Sequence, residues 1–291
     1  MNRFRPILPL AILLGLASGA LSQVSVTLKL GKRNYLHGEA VPAEVSITNM
    51  TGQELTFVGS AKHPWIDFIV KSNRGVPMTP VGQPAFGTVK IPAGKTVARA
   101  VDLNKLFSLN ELGNYSVYAL IRPPSGKSGG YQSQRKLFTV STAKPYWSQV
   151  VGVPGRRSET REFRLIQFTA GRKVELYIQV ADAKSGRIMK THGIGESLMF
   201  RKPTILVDGA NQMHVLYLVT PEFWGHAKVD PNGKFLGRDL YRASDFGDPA
   251  LVKLEDGSVR TSGGVFYDPK AEAERRAKNR KASDRPAFIY E

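Results

Sequence analysis

The 291-residue sequence contains no cysteine, and this absence excludes several kinds of chemistry. Disulfide bonds, thiolate-ligated metal centres and cysteine nucleophiles all require a thiol. A bacterial lipid-anchored signal peptide is also excluded, because it needs a cysteine at its cleavage site. A chain of this length does not depend on disulfides, since two domains of roughly 130 residues each bury enough apolar surface to be stable without them.

Recognised catalytic patterns are also scarce. There is no HExxH helix, and none of the five histidines stands at a zinc-type spacing on a helix. The pair Gly193 and Gly195 is not followed by a helix signal, so it does not predict a phosphate-binding loop. We therefore predict no catalytic residue, no cofactor and no nucleic-acid partner from these patterns.

Long apolar runs are confined to the first 22 residues. Arg3 and Arg5 precede an apolar stretch over residues 7–21, and Ala20-Leu21-Ser22 matches a small-residue cleavage site. This order is typical of a secretory signal peptide. The run of about 15 residues is shorter than the roughly 20 that a spanning helix needs, which disfavours the alternative of an uncleaved anchor. Residues 1–22 are thus predicted to direct export to the periplasm or the extracellular space.

Acidic residues are few relative to basic ones, which gives a formal net charge of +17. An exported protein with this charge is attracted to polyanions, such as an acidic polysaccharide, an anionic envelope surface or another envelope protein. Four arginines cluster in "PGRRSETREFR" and are candidates for anion binding, since guanidinium groups bind carboxylates and phosphates bidentately: Arg156, Arg157, Arg161 and Arg164. The alternative is an exposed loop followed by the solvent-facing side of a strand.

Apolar and polar residues alternate with a period of two from residue 24 onward. Val41, Ala43, Val45 and Ile47 alternate with polar residues, and "NMTG" then supplies a turn. This period puts one residue set on each face of a strand, so the pattern predicts half-buried strands. Further strands are predicted at 66–70, 88–91, 97–101, 115–121 and 136–140. The spacing is typical of an all-β sandwich over residues 23–142.

Three segments of this region resemble the immunoglobulin-like accessory domains of bacterial exported proteins. They are Tyr35 with Gly38-Glu39 and Val41, Asn49 with Thr51-Gly52, and "DLNKLFSLNELGNYSV" over residues 102–117. The resemblance implies an immunoglobulin-like β-sandwich. It also implies that Tyr115 forms a tyrosine corner, with its ring in the core and its hydroxyl bonded to upstream backbone. It implies no particular activity.

Residues 143–158 are rich in proline and glycine and are predicted to link two domains. Beyond them, residues 159–267 carry tight-turn signals near 184, 210, 232 and 256, which predicts a string of antiparallel hairpins. Strand pairs at this spacing weakly resemble β-propeller blades, but the length is too short for a closed ring. We favour two facing sheets or a single barrel. A ring completed by other copies, or ordinary hairpins, are the alternatives.

Two histidines in this region are candidates for a metal or active site. If the hairpin between them turns at about residue 220, His214 and His226 lie opposite each other on one face, and Asp208 or Asp230 adds an oxygen ligand. A shift of one residue in register would separate them. The alternative is that both are ordinary histidines at the surface or the edge of the core.

The last segment, residues 268–291, is predicted to be a basic helical or disordered tail. Asp268 suits a helix cap and Pro269 the first helical position, and Glu272 precedes Arg276 by four residues. Its sparse alanines form no apolar face. A solvated helix and an arm that contacts a polyanion are both compatible with this composition.

Taken together, these patterns predict an exported, all-β, non-catalytic binding or scaffolding protein. Its first domain is predicted to be an immunoglobulin-like sandwich, followed by a hairpin-rich domain and a short charged helix. A secreted hydrolase, with its site in the second domain or in the crevice between domains, is the alternative.

Overall fold

The computed structural model of the chain describes residues 24–60, 63–84, 86–123, 129–170, 173–245 and 247–283. The predicted signal peptide lies outside these residues, as does the end of the predicted tail after residue 283. Strands account for 57% of the structure and helices for 6%. The prediction of an all-β chain with a short C-terminal helix is therefore confirmed. Among the described residues, no helix combines the length and the apolar character that crossing a membrane requires.

The first half of the chain contains ten strands and one short helix among the described residues. They are β1 Val24–Leu30, β2 Asn34–Leu36, β3 Pro42–Asn49, β4 Leu55–Phe57, β5 Ile66–Lys71, β6 Val89–Ile91, β7 Thr96–Asp102, α1 Leu103–Leu106, β8 Gly113–Ile121, β9 Tyr131–Gln132 and β10 Lys136–Ser141. The five strands predicted between residues 66 and 140 all form, within two residues of the expected bounds.

These strands form two main sheets around one core. One has the order β1-β3-β7, the other the order β2-β10-β8-β5 with β9 against β8, and β4 pairs with β6 in a small ribbon. The alternating apolar residues of β3 point into the core, where Val45 and Ile47 are fully buried. The polar residues between them remain in contact with water, as a period of two requires. Strand β2 runs parallel to β10, whereas the other pairs are antiparallel.

The segment from residue 102 to 117 forms helix α1 and the first part of β8. Asp102 caps α1, because its carboxylate accepts a hydrogen bond from the backbone N–H of Asn104 at 3.0 Å. Tyr115 is buried at the start of β8, and its hydroxyl donates a hydrogen bond to the carbonyl of Glu111 at 2.6 Å. This contact has the geometry of a tyrosine corner.

The second half continues the strand numbering and ends in a helix. Its elements are β11 Pro145–Val153, β12 Arg156–Ala170, β13 Lys173–Asp182, β14 Ile188–Glu196, β15 Thr204–Val207, β16 Met213–Leu218, β17 Phe223–Val229, β18 Phe235–Ala243, β19 Ala250–Lys253, β20 Val259–Ser262, β21 Gly264–Tyr267 and α2 Pro269–Ser283. Residues 143–158, predicted as a linker, instead form β11 and the start of β12. Pro154 and Gly155 make the turn between these two strands.

Most strands of the second half pair with their neighbours in the chain, and β21 pairs with β18 across the separate β19–β20 hairpin. One sheet has the order β11-β12-β13-β14, the other the order β15-β16-β17-β18-β21, and β19 pairs with β20. The four predicted turns connect β13 to β14, β15 to β16, β17 to β18 and β19 to β20. The two larger sheets share one core, in which Phe163 and Ile178 from the first contact the cluster around Val215 and Tyr217 from the second.

Helix α2 extends the chain after β21 with little burial. Asp268 caps it through the N–H of Lys270 at 2.8 Å, and Glu272 forms ion pairs with Arg275 and Arg276. These contacts confirm the cap and the Glu272–Arg276 pair that the sequence predicts.

Candidate functional site

A groove of about 820 Å³ lies on the first half of the chain. It lies where the edge strand β1 of one sheet approaches the β2–β10 end of the other. The turn between β1 and β2 and the start of β10 provide its rim. Its lining contains five basic side chains and no acidic one: Lys29, Lys32, Arg33, Arg135 and Lys136. We refer to this surface as the basic groove.

Four of these five cations are not neutralised by neighbours. Lys29, Arg33 and Arg135 are exposed and Lys136 is half-buried, and none of the four forms an ion pair with any described residue. Like charges held on facing strands raise the local positive potential, which attracts anions and steers them toward the surface. The basic groove is thus a preformed electropositive surface.

The floor of the basic groove combines polar and apolar groups. The Thr139 hydroxyl on β10 donates a hydrogen bond to Oδ1 of Asn114 on β8 at 2.8 Å, where the two residues lie directly opposite each other. Leu137, which follows Lys136 on β10, has 67% of its surface exposed. A ligand in the groove would therefore meet hydroxyl and amide groups and an aliphatic surface in addition to positive charge.

The arginine cluster predicted from the sequence does not form such a site. Arg161 is buried and pairs with Glu159 and with Asp182, the latter at 3.1 Å. Arg164 pairs with Glu162 at 2.6 Å.

Arg156 also contacts Glu159, at 3.2 Å, so only the exposed Arg157 is without an acidic partner among the described residues. The physical reason is the strand period. Residues two apart on β12 share a face, which places each acid beside an arginine. The cluster is a network of ion pairs that stabilises the β11–β12 hairpin surface.

The two candidate histidines do lie together. His214 on β16 pairs with Lys228 and His226 on β17 pairs with Leu216, so the hairpin turns about one residue later than predicted. With this turn position, His214 and His226 still lie on the same face of the sheet, where their rings are diagonal neighbours. Nδ1 of His214 lies 3.0 Å from Nε2 of His226, and both side chains are buried.

The histidine pair belongs to a chain of four hydrogen-bonded side chains. Asp208 lies 3.3 Å from Nε2 of His214, and the Thr261 hydroxyl lies 3.2 Å from Nδ1 of His226. One proton arrangement satisfies every contact: Thr261 donates to His226, His226 donates to His214, and His214 donates to ionised Asp208. Both imidazoles are then neutral.

The electrostatics of this chain favour the neutral form. Burial lowers the pKa of His214, although the Asp208 carboxylate opposes the shift. Burial also lowers the pKa of His226 to about 4, and the neighbouring His214 and Lys228 contribute in the same direction. Neither imidazole lines the basic groove, and a buried neutral pair is suited to holding β16, β17 and β20 together.

Asp230, the fourth residue of that prediction, has a different role. Its carboxylate accepts a hydrogen bond from the N–H of Lys234 at 2.7 Å and so shapes the β17–β18 turn. Within the described parts of the chain, no group of three or more His, Asp or Glu side chains has an arrangement that could hold a metal ion. Of the four residues predicted as metal ligands, Asp208, His214 and His226 lie close together, but their arrangement is not one that could hold a metal ion.

A second cavity, of about 490 Å³, lies between the two halves and is referred to as the crevice. Lys32 is one of its lining residues, and its ammonium lies 2.7 Å from Oε1 of Glu39 and 2.7 Å from the hydroxyl of Tyr177. It also lies 5.3 Å from the ring centroid of Tyr35 and 4.8 Å from that of Tyr177. The Tyr177 hydroxyl in turn donates to Glu175.

Burial is the main cause of the pKa shifts of Glu39 and Tyr177 in the crevice. It raises the pKa of Glu39 above its ordinary value, although the hydrogen bond from Lys32 opposes the shift. Burial, followed by the hydrogen bond to Glu175, raises the pKa of Tyr177 far above its usual range. The Tyr177 hydroxyl thus stays protonated at neutral pH and remains a donor to Glu175.

Backbone and side-chain contacts beside the crevice join the two halves. The N–H of Thr191 donates to the carbonyl of Gly38 at 3.1 Å, and its hydroxyl donates to the carbonyl of His37 at 2.6 Å. Leu36 packs with Ile166 in a small apolar cluster that also includes Tyr177. The halves are therefore joined by a hydrogen-bonded and apolar contact rather than by a linker alone.

Comparisons with known proteins assign no family to this chain. No family model matches it, and no curated protein matches it by sequence. The sporulation control protein Spo0M from Bacillus subtilis is structurally similar at 9% identity, with a TM-score of 0.28, over 91% of this chain and 98% of its own. The YadV chaperone is similar at 11% identity, with a TM-score of 0.24, over 74% of this chain and 98% of its own. Neither likeness is strong enough to support an argument about function.

Proposed function

We propose that this chain is an exported, non-catalytic binding protein that holds an acidic polysaccharide in the basic groove. The observation that carries the proposal is the set of four cations that line the groove without an acidic partner among the described residues. Their charge is not used for folding, in contrast to that of Arg161 and Arg164. Unneutralised charge in a concave surface is typical of binding sites for anions.

The shape of the site favours a polysaccharide chain over a lipid surface. A concave groove between two strand edges accommodates a linear polymer, whereas a flat membrane contacts protruding residues. The Thr139 hydroxyl and the exposed Leu137 offer the polar and apolar contacts that sugar rings use. Each exposed cation contributes about 0.5–1 kcal/mol, so the four together contribute about 2–4 kcal/mol at low salt.

The first half is, in this proposal, an immunoglobulin-like sandwich that displays the groove. The facing sheets β1-β3-β7 and β2-β10-β8-β5 support this interpretation, as does the corner made by Tyr115 at the start of the central strand β8. The pattern of residues 1–22 supports export, which places the groove in a compartment where acidic polysaccharides are available.

The alternative of a hydrolase receives less support from the geometry. A hydrolase active site could lie at the histidine pair or in the crevice. His214 and His226 are buried and hydrogen-bonded to each other, and in the crevice Glu39 is held by Lys32. A general acid or base needs access to a substrate proton, which these contacts occupy.

Binding measurements with the signal-free protein, residues 23–291, test this function. We expect it to bind polygalacturonate but not neutral dextran, with an affinity that falls steeply between 50 and 500 mM salt. Changing the four free cations to glutamine is expected to weaken binding roughly 30- to 1,000-fold, which corresponds to the 2–4 kcal/mol estimated above. The four changes are Lys29→Gln, Arg33→Gln, Arg135→Gln and Lys136→Gln.

A matched control removes the same number of charges from helix α2: Lys270→Gln, Arg275→Gln, Arg276→Gln and Lys278→Gln. Because these residues lie outside the groove, the control variant should bind within about threefold of the wild type. Equal loss in both variants would mean that net charge alone drives binding. Binding to vesicles with anionic headgroups, together with no binding to polygalacturonate, would refute the polysaccharide as ligand.

A further inference from the structure

The crevice has properties that neither the basic groove nor its anionic ligand explains. Its lining includes the carboxylates of Glu39 and Glu175, the rings of Tyr35, Tyr177 and Phe235, and a single cation, Lys32. The basic groove, by contrast, contains no carboxylate in its lining. The two cavities are neighbours that share Lys32, yet they select for opposite charges.

The chain itself already places one ammonium group in the crevice. The Lys32 ammonium bonds to Glu39 and to the Tyr177 hydroxyl, both at 2.7 Å, and lies within 5.3 Å of two tyrosine ring centroids. A carboxylate together with aromatic faces is the combination that recognises organic ammonium groups. The internal ammonium shows that these walls have the geometry to hold such a group.

Room and charge remain after Lys32 is in place. Glu175 receives a hydrogen bond from Tyr177, but no cationic side chain among the described residues lies within ion-pair distance of it. Glu196 lies directly across the β13–β14 pair from Glu175 and is neutralised by Lys173 at 2.7 Å. Glu175 is thus the carboxylate of the crevice that forms no direct ion pair among the described residues, although Lys173 acts on it at longer range, and it lines a cavity of about 490 Å³.

We propose that the crevice is a second binding site, which takes the ammonium group of a small organic amine against the carboxylate of Glu175. Lys32 keeps its contact with Glu39, and the aliphatic part of the amine lies against Phe235 and Pro42 in the cavity lining. This site shares Lys32 with the basic groove but does not depend on whether a polysaccharide binds there.

Calorimetric titration with cadaverine, a five-carbon diamine, tests this site. We expect cadaverine to bind and 1,5-pentanediol, its neutral isostere, not to bind at the same concentrations. The substitution Glu175→Gln keeps the shape and the acceptor for Tyr177 but removes the charge, so it is expected to weaken cadaverine binding roughly tenfold to 100-fold. Glu196→Gln is the matched control, one strand away and outside the cavity, and should change the affinity less than threefold.

The site of binding is read independently from the ring resonances of Tyr177 and Phe235, which should shift on addition of cadaverine but not of pentanediol. Glu175→Gln must retain the thermal unfolding transition of the wild type for the comparison to hold, and Glu175→Asp serves as a charged variant if it does not. No binding of cadaverine, equal binding of the diol, or equal weakening by Glu175→Gln and Glu196→Gln would each overturn the proposal. None of these results would affect polygalacturonate binding.

Discussion

The buried histidine pair predicts a specific dependence of stability on pH. Because the folded-state pKa of His226 is about 4 and the unfolded value is near 6.5, the folded protein binds fewer protons than the unfolded chain between these values. The free energy of unfolding that the neutral His226 contributes is then fully present above about pH 6.5 and is lost as the pH falls toward 4. Acidification from pH 7.5 to 4.5 is the perturbation.

The magnitude follows from the separation of the two pKa values. This separation corresponds to about 3 kcal/mol in total, of which about 2 kcal/mol is lost by pH 5. The side chain of His226 is 3% exposed, so solvent screening does not reduce this value substantially. Lys228 also disfavours the charged ring, whereas Asp239, which pairs with Lys228 at 3.4 Å, favours it.

Two assays measure this effect. Urea unfolding of the wild type and of His226→Gln between pH 7.5 and 4.5 isolates the histidine, because carboxylates elsewhere titrate in both proteins. The free-energy advantage of the wild type should shrink by about 2 kcal/mol between pH 7.5 and 5. In NMR, the ring protons of His226 should titrate near pH 4. A constant advantage, or titration near the unperturbed pH 6.5, would refute the neutral hydrogen-bonded pair.

Three further predictions concern the first half of the chain and its contact with the second half. Asn49 is fully buried and makes four side-chain hydrogen bonds, two of them to the carbonyls of Gln53 and Ile91. Asn49→Ala should therefore lower the free energy of unfolding by about 2–4 kcal/mol in urea titrations, whereas a loss under 1 kcal/mol would contradict this role. Tyr115→Phe should lower it by about 1 kcal/mol through the lost corner bond, and an unchanged midpoint would argue against that bond. Lys32→Met leaves the half-buried Glu39 without its partner, so the midpoint of thermal unfolding should fall at pH 7. The midpoint should recover on acidification toward pH 5, because Glu39 is then protonated. A loss of stability that does not depend on pH would contradict the ion pair.

Much of the fold can be read from local patterns in the sequence. Alternation with a period of two locates β3 and the strands up to β10, because one face of each strand must be apolar. Tyr115 and the tight turns near residues 184, 210, 232 and 256 are equally local signals. The sequence does not predict β11 within residues 143–158, because proline and glycine interrupt its alternation and its pairing with β12 contains two register irregularities.

The basic groove could not be located from the sequence, since its residues are far apart in the chain. Lys29 and Arg33 meet Arg135 and Lys136 because β2 pairs in parallel with β10, and no local pattern announces a parallel pair between distant segments. The contiguous arginines around Arg161 were the more visible cluster. Their neutralisation could have been anticipated from Glu159 and Glu162, which stand two residues before Arg161 and Arg164 and so share a strand face with them.

The most direct test of the central claim is a map of where an acidic oligosaccharide touches the protein. Backbone amide shifts should be recorded by NMR as oligogalacturonate is added to the signal-free chain at low salt. The proposal predicts that the perturbed amides cluster on β1, on the turn before β2 and on β10. Perturbations centred on residues 156–164 or on helix α2, or none at saturating oligosaccharide, would contradict it.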